Sequence, residues 1–265
     1  MQIKSHLFHN PKDPSPDVIC LALSRWDAPI SSPALSLAKA FAKTNRVFYI
    51  DHPFSWKDYL RERNSEAVKT RRDALLKGRN IYSNPSSLPS NITVVTSKLT
   101  MPINFLPEGF LYNELSKRND RILHRLIERV IKDYQIRDFI FINFFDPFFL
   151  GKFPGDINPL QTVYQCMDDV SQVPYTAKHG VRLENEIVRN YDHTICTSLE
   201  LTRLKSAISP NVHYLPNAAD TELFNTAVTE NYPRPKELEG VDKKIIGFTG
   251  SIEYRSDFEL LQKVA

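Results

Sequence analysis

Two adjacent carboxylates, Asp168 and Asp169, follow an apolar run that ends at Cys166. Short apolar runs of this kind are typical of strands in parallel sheets, whose ligands bind beyond the carboxyl ends of the strands. A carboxylate there can accept a hydrogen bond from a sugar hydroxyl or take its proton as a general base, so both residues are candidate catalytic groups. The alternative is that they cap the segment that follows, and this alternative is the stronger one for Asp169.

The loop at 24–32, which follows the first apolar run, offers a second set of candidates. In a binding cleft the indole of Trp26 would stack on a sugar ring, and Arg25 would bind polar or anionic groups. Ser31 and Ser32 stand at a predicted helix start, where backbone N–H groups can bind an anion or a hydroxyl. Alternatively, Trp26 only packs within its loop.

The elements that must position these residues alternate between strands and helices. Apolar runs predict strands at 18–23, 46–50, 92–95, 139–142, 162–166, 193–196 and 212–215. A charged stretch from about 56 to 76 and an amphipathic one from about 111 to 134 predict helices. This alternation is typical of an α/β protein with a doubly wound parallel sheet and helices on both faces.

The pattern changes toward the C-terminus. Residues 225–242 are polar and contain two prolines, which indicates a linker after a first domain at 1–224. Residues 243–265 begin with an apolar, glycine-containing run at 244–250, which predicts a buried strand, and a helix is expected from Asp257 onward. We interpret them as the first βα unit of a second Rossmann-like domain that is otherwise incomplete, because a lone unit cannot bury both of its faces.

Composition excludes several classes of protein. The formal net charge is +3, far from the strongly basic domains of nucleic-acid binders, so no nucleic-acid partner is expected. Basic residues do cluster between 61 and 79, either as a solvated helix face or as a patch for phosphate or an anionic membrane surface. The three cysteines are too far apart for a metal-binding pattern, which predicts buried thiols, no metal and a cytoplasmic protein. The N-terminus lacks the apolar core of a secretory signal.

The stretch 193–257 resembles the GT-B glycosyltransferases, most closely those of family 4. The resemblance is carried by a strand that leads into Ser198 and a helix, and by a strand that runs into Pro-Asn-Ala-Ala-Asp at 216–220. Phe224 follows the Asp at the family's spacing, and a strand with Gly247 comes after the linker. Over 1–192 the resemblance is one of architecture only.

Three positions depart from the family pattern. Ala218 stands where the family usually has glycine, and Ser251 stands where it often has arginine. The run Tyr-Gln-Cys-Met-Asp-Asp at 164–169 is similar to that of a cell-wall and capsule subgroup, but Met167 replaces the histidine that the family often has before the Asp. Met167, the missing Arg/Lys pair, and Ser31 and Ser32 in a loop where the family often has Gly-Gly leave open a degenerate relative that binds a glycan or nucleotide without transferring a sugar.

The resemblance implies two facing Rossmann-like domains, with the acceptor mainly on the first and the nucleotide sugar on the second. Asn217 and Asp220 would then set the interdomain hinge, although Asn217 alone is equally consistent with a plain strand-ending turn.

The resemblance also implies that the loop with Gly250 and Ser251 approaches the donor phosphates. Arg255 would supply positive charge there, since guanidinium pairs well with a diphosphate. Alternatively, Arg255 is a surface residue paired with Glu253 or Asp257.

The leading hypothesis is therefore an enzyme that moves a hexosyl group from a nucleotide sugar to a glycan or lipid-linked acceptor. Its expected setting is cell-envelope polysaccharide synthesis in the cytoplasm, with peripheral contact at the inner face of the membrane as a further option. The nucleotide sugar is its substrate, and no other cofactor is expected. The absence of a GxGxxG fingerprint argues against a dehydrogenase. With most of the donor domain missing, we expect these 265 residues alone to be inactive.

Overall fold

The computed structural model describes residues 15–30, 32–245, 247–248, 250 and 256–264. They belong to two compact units that divide between Asn217 and Ala218. Among the described residues, no helix is both long enough and apolar enough to cross a bilayer.

The first unit is built on one eight-stranded sheet. Its strands are β1 (Asp17–Ala22), β2 (Val47–Ile50), β3 (Tyr82–Ser83), β4 (Ile92–Val95), β5 (Phe139–Phe144), β6 (Gln161–Cys166), β7 (His193–Cys196) and β8 (Val212–Tyr214). They lie in the order β3-β4-β2-β1-β5-β6-β7-β8, and all neighbours are parallel except β3 and β4. The predicted α/β class with a doubly wound parallel sheet is confirmed.

The described residues of this unit form six α-helices. They are α1 (Pro33–Phe41), α2 (Trp56–Glu62), α3 (Glu66–Lys77), α4 (Phe110–Asp133), α5 (Pro174–Asn190) and α6 (Leu199–Ser206). Serine side chains cap the N-termini of α1, α2, α3 and α6. The single helix predicted over about 56–76 is in fact two. The Ser65 side chain accepts a hydrogen bond from the Val68 N–H and starts α3, and Gly78 ends that helix at φ 65°, a conformation that favours glycine.

Both faces of the sheet are covered, because successive residues of a strand point to opposite sides. Ile19 of β1 belongs to a core that includes Leu123 of α4 and Ile187 of α5. Its neighbour Val18 belongs to a second core that includes Ala38 of α1. The cysteines are free and buried, as predicted.

The strand order reverses direction at β1. From β1 the chain first builds β2 and then β4 on one side, and α4 then returns it to place β5 on the other side. The loops after β1 and β5 therefore diverge, and a crevice opens at the carboxyl ends of the central strands.

The second unit contains α7 (Thr221–Thr229), a short 3-10 helix (Lys236–Leu238) and α8 (Phe258–Val264), the helix predicted after Asp257. The structure differs from the sequence prediction at 244–250, whose described residues form no strand. Ile245 and Phe248 are 47% and 59% exposed, not buried. An extended apolar run needs a neighbouring strand for its backbone hydrogen bonds, and the described residues of this unit include none.

Candidate functional site

A cleft of about 750 Å³ lies at the carboxyl ends of β1, β2 and β5, where the strand order reverses. Residues that follow these strands line it, together with residues of α2, α4 and α5. Its ionisable lining residues are Arg25, His52, Lys57, Asp58, Arg61, Tyr112, Tyr175 and Lys178. Cations outnumber carboxylates, so the cleft suits a polar ligand that carries hydroxyl or anionic groups.

His52 lines this cleft and forms a hydrogen-bonded pair with the buried Asp146. His52 lies two residues after β2 and Asp146 lies two residues after β5, and these strands flank β1 on its two sides. The distance from His52 Nδ1 to Asp146 Oδ2 is 2.7 Å, and the Asp146 side chain is fully buried.

Asp146 is held in place by its own turn. Its backbone N–H donates to Asn143 Oδ1 at 2.8 Å, and Asn143 Nδ2 donates back to the Asp146 carbonyl at 2.9 Å. The second carboxylate oxygen accepts from the Phe148 N–H at 3.2 Å. The carboxylate is thus fixed before any ligand binds.

The backbone on either side of this turn adopts costly conformations. Phe145 and Leu150 have φ angles of 59° and 54°, in the left-handed region that non-glycine residues rarely occupy. The Leu150 N–H donates to Asp120 Oδ1 at 2.8 Å, which helps to hold that end of the turn. Outliers of this kind cost on the order of 1 kcal/mol each and cluster at functional sites.

The pairing sets the chemistry of the imidazole. A carboxylate that accepts from Nδ1 would leave the lone pair of His52 Nε2 free. Nε2 has no hydrogen-bond partner within the described part of the chain. Such a nitrogen can take a proton from a bound hydroxyl, and the resulting imidazolium would be stabilised by Asp146.

Arg25 lies beside this pair. Its Nε donates to the His52 carbonyl at 3.4 Å, and its guanidinium carbon is 3.5 Å from the centre of the Phe54 ring. Burial is the main reason why the pKa of Arg25 is lowered from its ordinary value. Arg25 therefore presents a partly desolvated charge to the cleft, where it interacts more strongly with a ligand than a solvated one would.

The other residues predicted in the first loop lie elsewhere. Trp26 packs against the core on the α1 side of the sheet, which agrees with the alternative that it packs within the protein. Its indole N–H is buried and has no hydrogen-bond partner among the described residues. Ser32 caps α1, since its hydroxyl accepts from the Leu35 N–H at 3.2 Å. Ser31 lies outside the described residues.

Asp168 and Asp169 are not among the residues that line the cleft. Asp168 is exposed. Asp169 caps the 3-10 helix Val170–Gln172, and Oδ1 accepts from the Ser171 N–H at 2.9 Å and from its hydroxyl at 2.7 Å. These bonds to Ser171 lower the pKa of Asp169. The capping alternative thus describes Asp169, and the catalytic role of either residue stays a prediction.

The predicted hinge and donor residues lie at the unit boundary and beyond it. Asn217 is the last residue of the first unit and is exposed. Asp220 caps α7, and Oδ1 accepts from the Leu223 N–H at 3.0 Å. Gly250 is exposed. Ser251 and Arg255 lie outside the described residues, so their roles stay predictions.

A buried ion-pair group lies behind the cleft and holds its loops. Asp51, directly after β2, accepts from the Trp26 N–H at 2.9 Å and lies 3.3 Å from Arg71 Nη2 on α3. Arg71 Nη1 also pairs with Asp27 at 2.9 Å. Burial raises the pKa of Asp51 to about 6, against the opposing effect of Arg71. This group ties the first loop to α3.

The raised pKa of Asp51 predicts how stability varies with pH. The folded state binds this proton more tightly than the unfolded chain, so the cost of ionising Asp51 is absent below about pH 4 and grows as pH rises toward about 6. Asp51→Asn keeps an oxygen for the Trp26 N–H but cannot ionise. We expect the fall in unfolding free energy over this pH range to shrink by up to about 3 kcal/mol.

Urea unfolding of the chain at several pH values between 4 and 7 measures this change. Asp120 is a matched residue for comparing the pH dependence of the unfolding free energy. Burial also raises its pKa to about 6, and it lies on a different element. If the unfolding free energy of Asp51→Asn falls with pH as steeply as that of the unmodified chain, Asp51 does not titrate in this range.

Outside the cleft, three described residues place possible metal-ligand atoms within 4.8 Å of one another, namely His124, Glu128 and Asp156. Both carboxylates are exposed, and His124 Nε2 already pairs with Asp156 at 3.0 Å. This is ordinary behaviour for a surface ion pair, and it assigns no metal.

Comparison with known proteins identifies no family. No protein-family model matches the chain, and no curated protein matches it. Among solved structures, sucrose-phosphate synthase from Thermosynechococcus elongatus is 13% identical with a TM-score of 0.47, over 82% of this chain and 53% of that one. A UDP-glucosyltransferase from Polygonum tinctorium is 12% identical with a TM-score of 0.47, over 84% and 56%. The chain spans about half the length of these proteins, and a likeness of this degree does not by itself assign a function.

Proposed function

We propose that this chain is the acceptor-binding part of a nucleotide-sugar-dependent glycosyltransferase, in which His52 activates the acceptor hydroxyl. The observation that carries the proposal is the pairing of the buried Asp146 with His52, which lines a cleft rich in cationic side chains at the reversal point of the sheet. A histidine oriented by a buried carboxylate is a suitable general base for a hydroxyl nucleophile. The residues at 193–257 that resemble GT-B enzymes support the same reaction class.

In the proposed reaction, the acceptor hydroxyl donates a hydrogen bond to His52 Nε2. The proton moves to Nε2 as the oxygen forms a bond to the anomeric carbon of the donor sugar. The bond from that carbon to the diphosphate oxygen breaks, and the nucleoside diphosphate leaves with the electron pair. Asp146 stabilises the imidazolium, and Arg25 binds polar groups of the acceptor.

The donor side of the proposal rests on the resemblance. Gly250, Ser251 and Arg255 would approach the diphosphate, with Arg255 offsetting the charge that develops on it. Asn217 and Asp220 would form the hinge between the acceptor and donor domains.

The proposed acceptor is a glycan or lipid-linked saccharide, and the proposed setting is cell-envelope polysaccharide synthesis at the cytoplasmic face of the membrane. Asp168, which is exposed beyond β6, keeps a proposed place beside a sugar hydroxyl. Asp169 would contribute indirectly, because its cap orders the 3-10 helix Val170–Gln172 that follows Asp168.

The test uses a protein in which these residues are joined to a complete donor domain. It measures release of nucleoside diphosphate with a panel of nucleotide sugars and saccharide acceptors. We expect acceptor-dependent release with one donor class. Arg25→Ala should raise KM for the acceptor by about tenfold or more with a smaller effect on kcat, since hydrogen bonds to charged groups contribute about 1.5–3 kcal/mol.

Arg203→Ala is the matched control, because Arg203 pairs with Glu200 on the exposed surface of α6 and lies outside the cleft. Saccharide binding without release of nucleoside diphosphate would instead favour the degenerate binding module.

A further inference from the structure

A second groove, of about 610 Å³, runs between α3 and α4. We call it the α4 groove, and its floor is apolar. Leu75, Ile81, Leu99, Ile122 and Leu126 line it, and Trp56 and Leu76 at its edge are 45% and 37% exposed. Exposed apolar side chains that adjoin an apolar groove form the kind of continuous patch at which partners or membranes bind.

The rim of the α4 groove is cationic. Arg118, Arg121, Arg125 and Arg129 recur at spacings of three and four along α4 and so share one face of that helix, and Lys98 joins them from the segment after β4. Among the described residues, no carboxylate lines the groove. The groove therefore combines a row of positive charge with an apolar floor.

Three of these cations have neither an ion-pair partner nor a side-chain hydrogen bond in the described part of the chain. They are Lys98, Arg118 and Arg125. Arg129 pairs with Asp133 and donates to the Gly78 carbonyl, and Arg121 donates to the Lys117 carbonyl. Surface arginines on helices commonly pair with an acid one turn away, so an unpaired row is suited to an external anion.

The α4 groove and the His52 cleft share a wall. Trp56 lines the groove while its neighbours Ser55 and Lys57 line the cleft. In the same way Leu99 and Arg118 line the groove, while the next residues, Thr100 and Asn119, line the cleft. A surface that covers the groove therefore lies immediately beside the place where we propose that the acceptor binds.

From this geometry we infer that the α4 groove docks the protein on an anionic phospholipid bilayer. Lipid phosphates would pair with the arginine row, and Trp56 and Leu76 would enter the interfacial region, where indole rings are stable. The inference deepens the proposed function, because a bilayer beside the cleft would present a lipid-linked acceptor to His52. The docking itself requires no sugar transfer, so an experiment can refute the docking inference without refuting the proposed transferase function, and the reverse.

The first test measures binding of the chain to vesicles, without substrates, by co-sedimentation. Phosphatidylcholine vesicles that contain phosphatidylglycerol should bind it, and pure phosphatidylcholine vesicles should bind it weakly. Arg118→Gln combined with Arg125→Gln should weaken binding to the anionic vesicles about 30-fold, since each cation at such a surface contributes about 1 kcal/mol.

The matched control removes the same charge from the opposite face of the sheet, by Lys39→Gln combined with Lys43→Gln. Both lysines are exposed at the end of α1, without ion pairs in the described residues. This control should bind nearly as well as the unmodified chain. An equal loss in both double variants would mean that only net charge matters, and would overturn the inference. So would failure of the unmodified chain to prefer anionic vesicles.

A second readout comes from the groove itself. The chain has two tryptophans, so Trp26→Phe leaves Trp56 as its single reporter. Its emission should shift to the blue on anionic vesicles. Inorganic phosphate at matched ionic strength should neither cause this shift nor displace the protein. Displacement by phosphate alone would identify a site for a soluble anion and overturn the docking of a bilayer.

Discussion

His52→Ala is expected to lower kcat by 10²–10⁴-fold in a protein that contains a complete donor domain, the range typical for loss of a general base. The imidazole takes the acceptor proton only as the new bond forms, so acceptor binding should change little. The reaction rate is measured as acceptor-dependent release of nucleoside diphosphate, and acceptor binding is measured by calorimetry.

Alanine at position 52 would leave the buried Asp146 without its partner, so a second variant separates chemistry from folding. His52→Asn places an amide nitrogen near the position of Nδ1, which still donates to Asp146, but offers no base. It should retain stability and lose turnover. His213→Ala, at an exposed histidine of β8, is the control and should remain active. Near-normal turnover of His52→Asn would assign the proton transfer to another group.

Glu184→Ala is expected to destabilise the first unit by about 3–5 kcal/mol. Glu184 is fully buried on α5, where it accepts from the Tyr164 hydroxyl at 2.9 Å and pairs with Lys205 of α6. Removing the carboxylate leaves the Lys205 ammonium and the Tyr164 hydroxyl without their acceptor in a region closed to water. Urea unfolding of the chain measures the loss.

A paired substitution tests whether the unpaired charge is the cause. Glu184→Gln combined with Lys205→Met removes both charges and keeps an oxygen for Tyr164. Replacing both members of a buried pair is often close to neutral, so this variant should recover most of the stability. If it is as unstable as Glu184→Ala, packing and not charge holds α5 and α6 to β6.

The strands were predictable because each is a short apolar run buried on both faces. The run predicted at 18–23 corresponds to β1, Asp17–Ala22, and the run predicted at 193–196 corresponds to β7. The order of the strands was not predictable, because it depends on pairing between residues far apart in the chain. Helix boundaries depend on local caps, and the Ser65 hydrogen bond that divides the stretch predicted at 56–76 is visible only in the structure.

The candidate site was predictable only in part. Arg25 follows the first strand, and that loop borders the reversal point of any sheet of this kind, so its place in the cleft could be foreseen. His52 and Asp146 each follow a strand and precede a proline, which is a weak signal. Their contact becomes visible only once β2 and β5 are known to flank β1. For Asp169, sequence alone favours a cap slightly over a catalytic group, and its hydrogen bonds to Ser171 show the cap directly.

The central position of β1 also has a consequence for biosynthesis. Ile19 of β1 pairs with Phe141 of β5, a strand that follows α4 in the sequence. While the ribosome is still making α4, the β1 edge that faces β5 has no partner, and its side chains are apolar on both faces. An open apolar edge is a template for pairing with another chain. We therefore expect the nascent protein to be open to aggregation in the interval before β5 leaves the ribosome, and a chaperone that shields this edge would act in that interval.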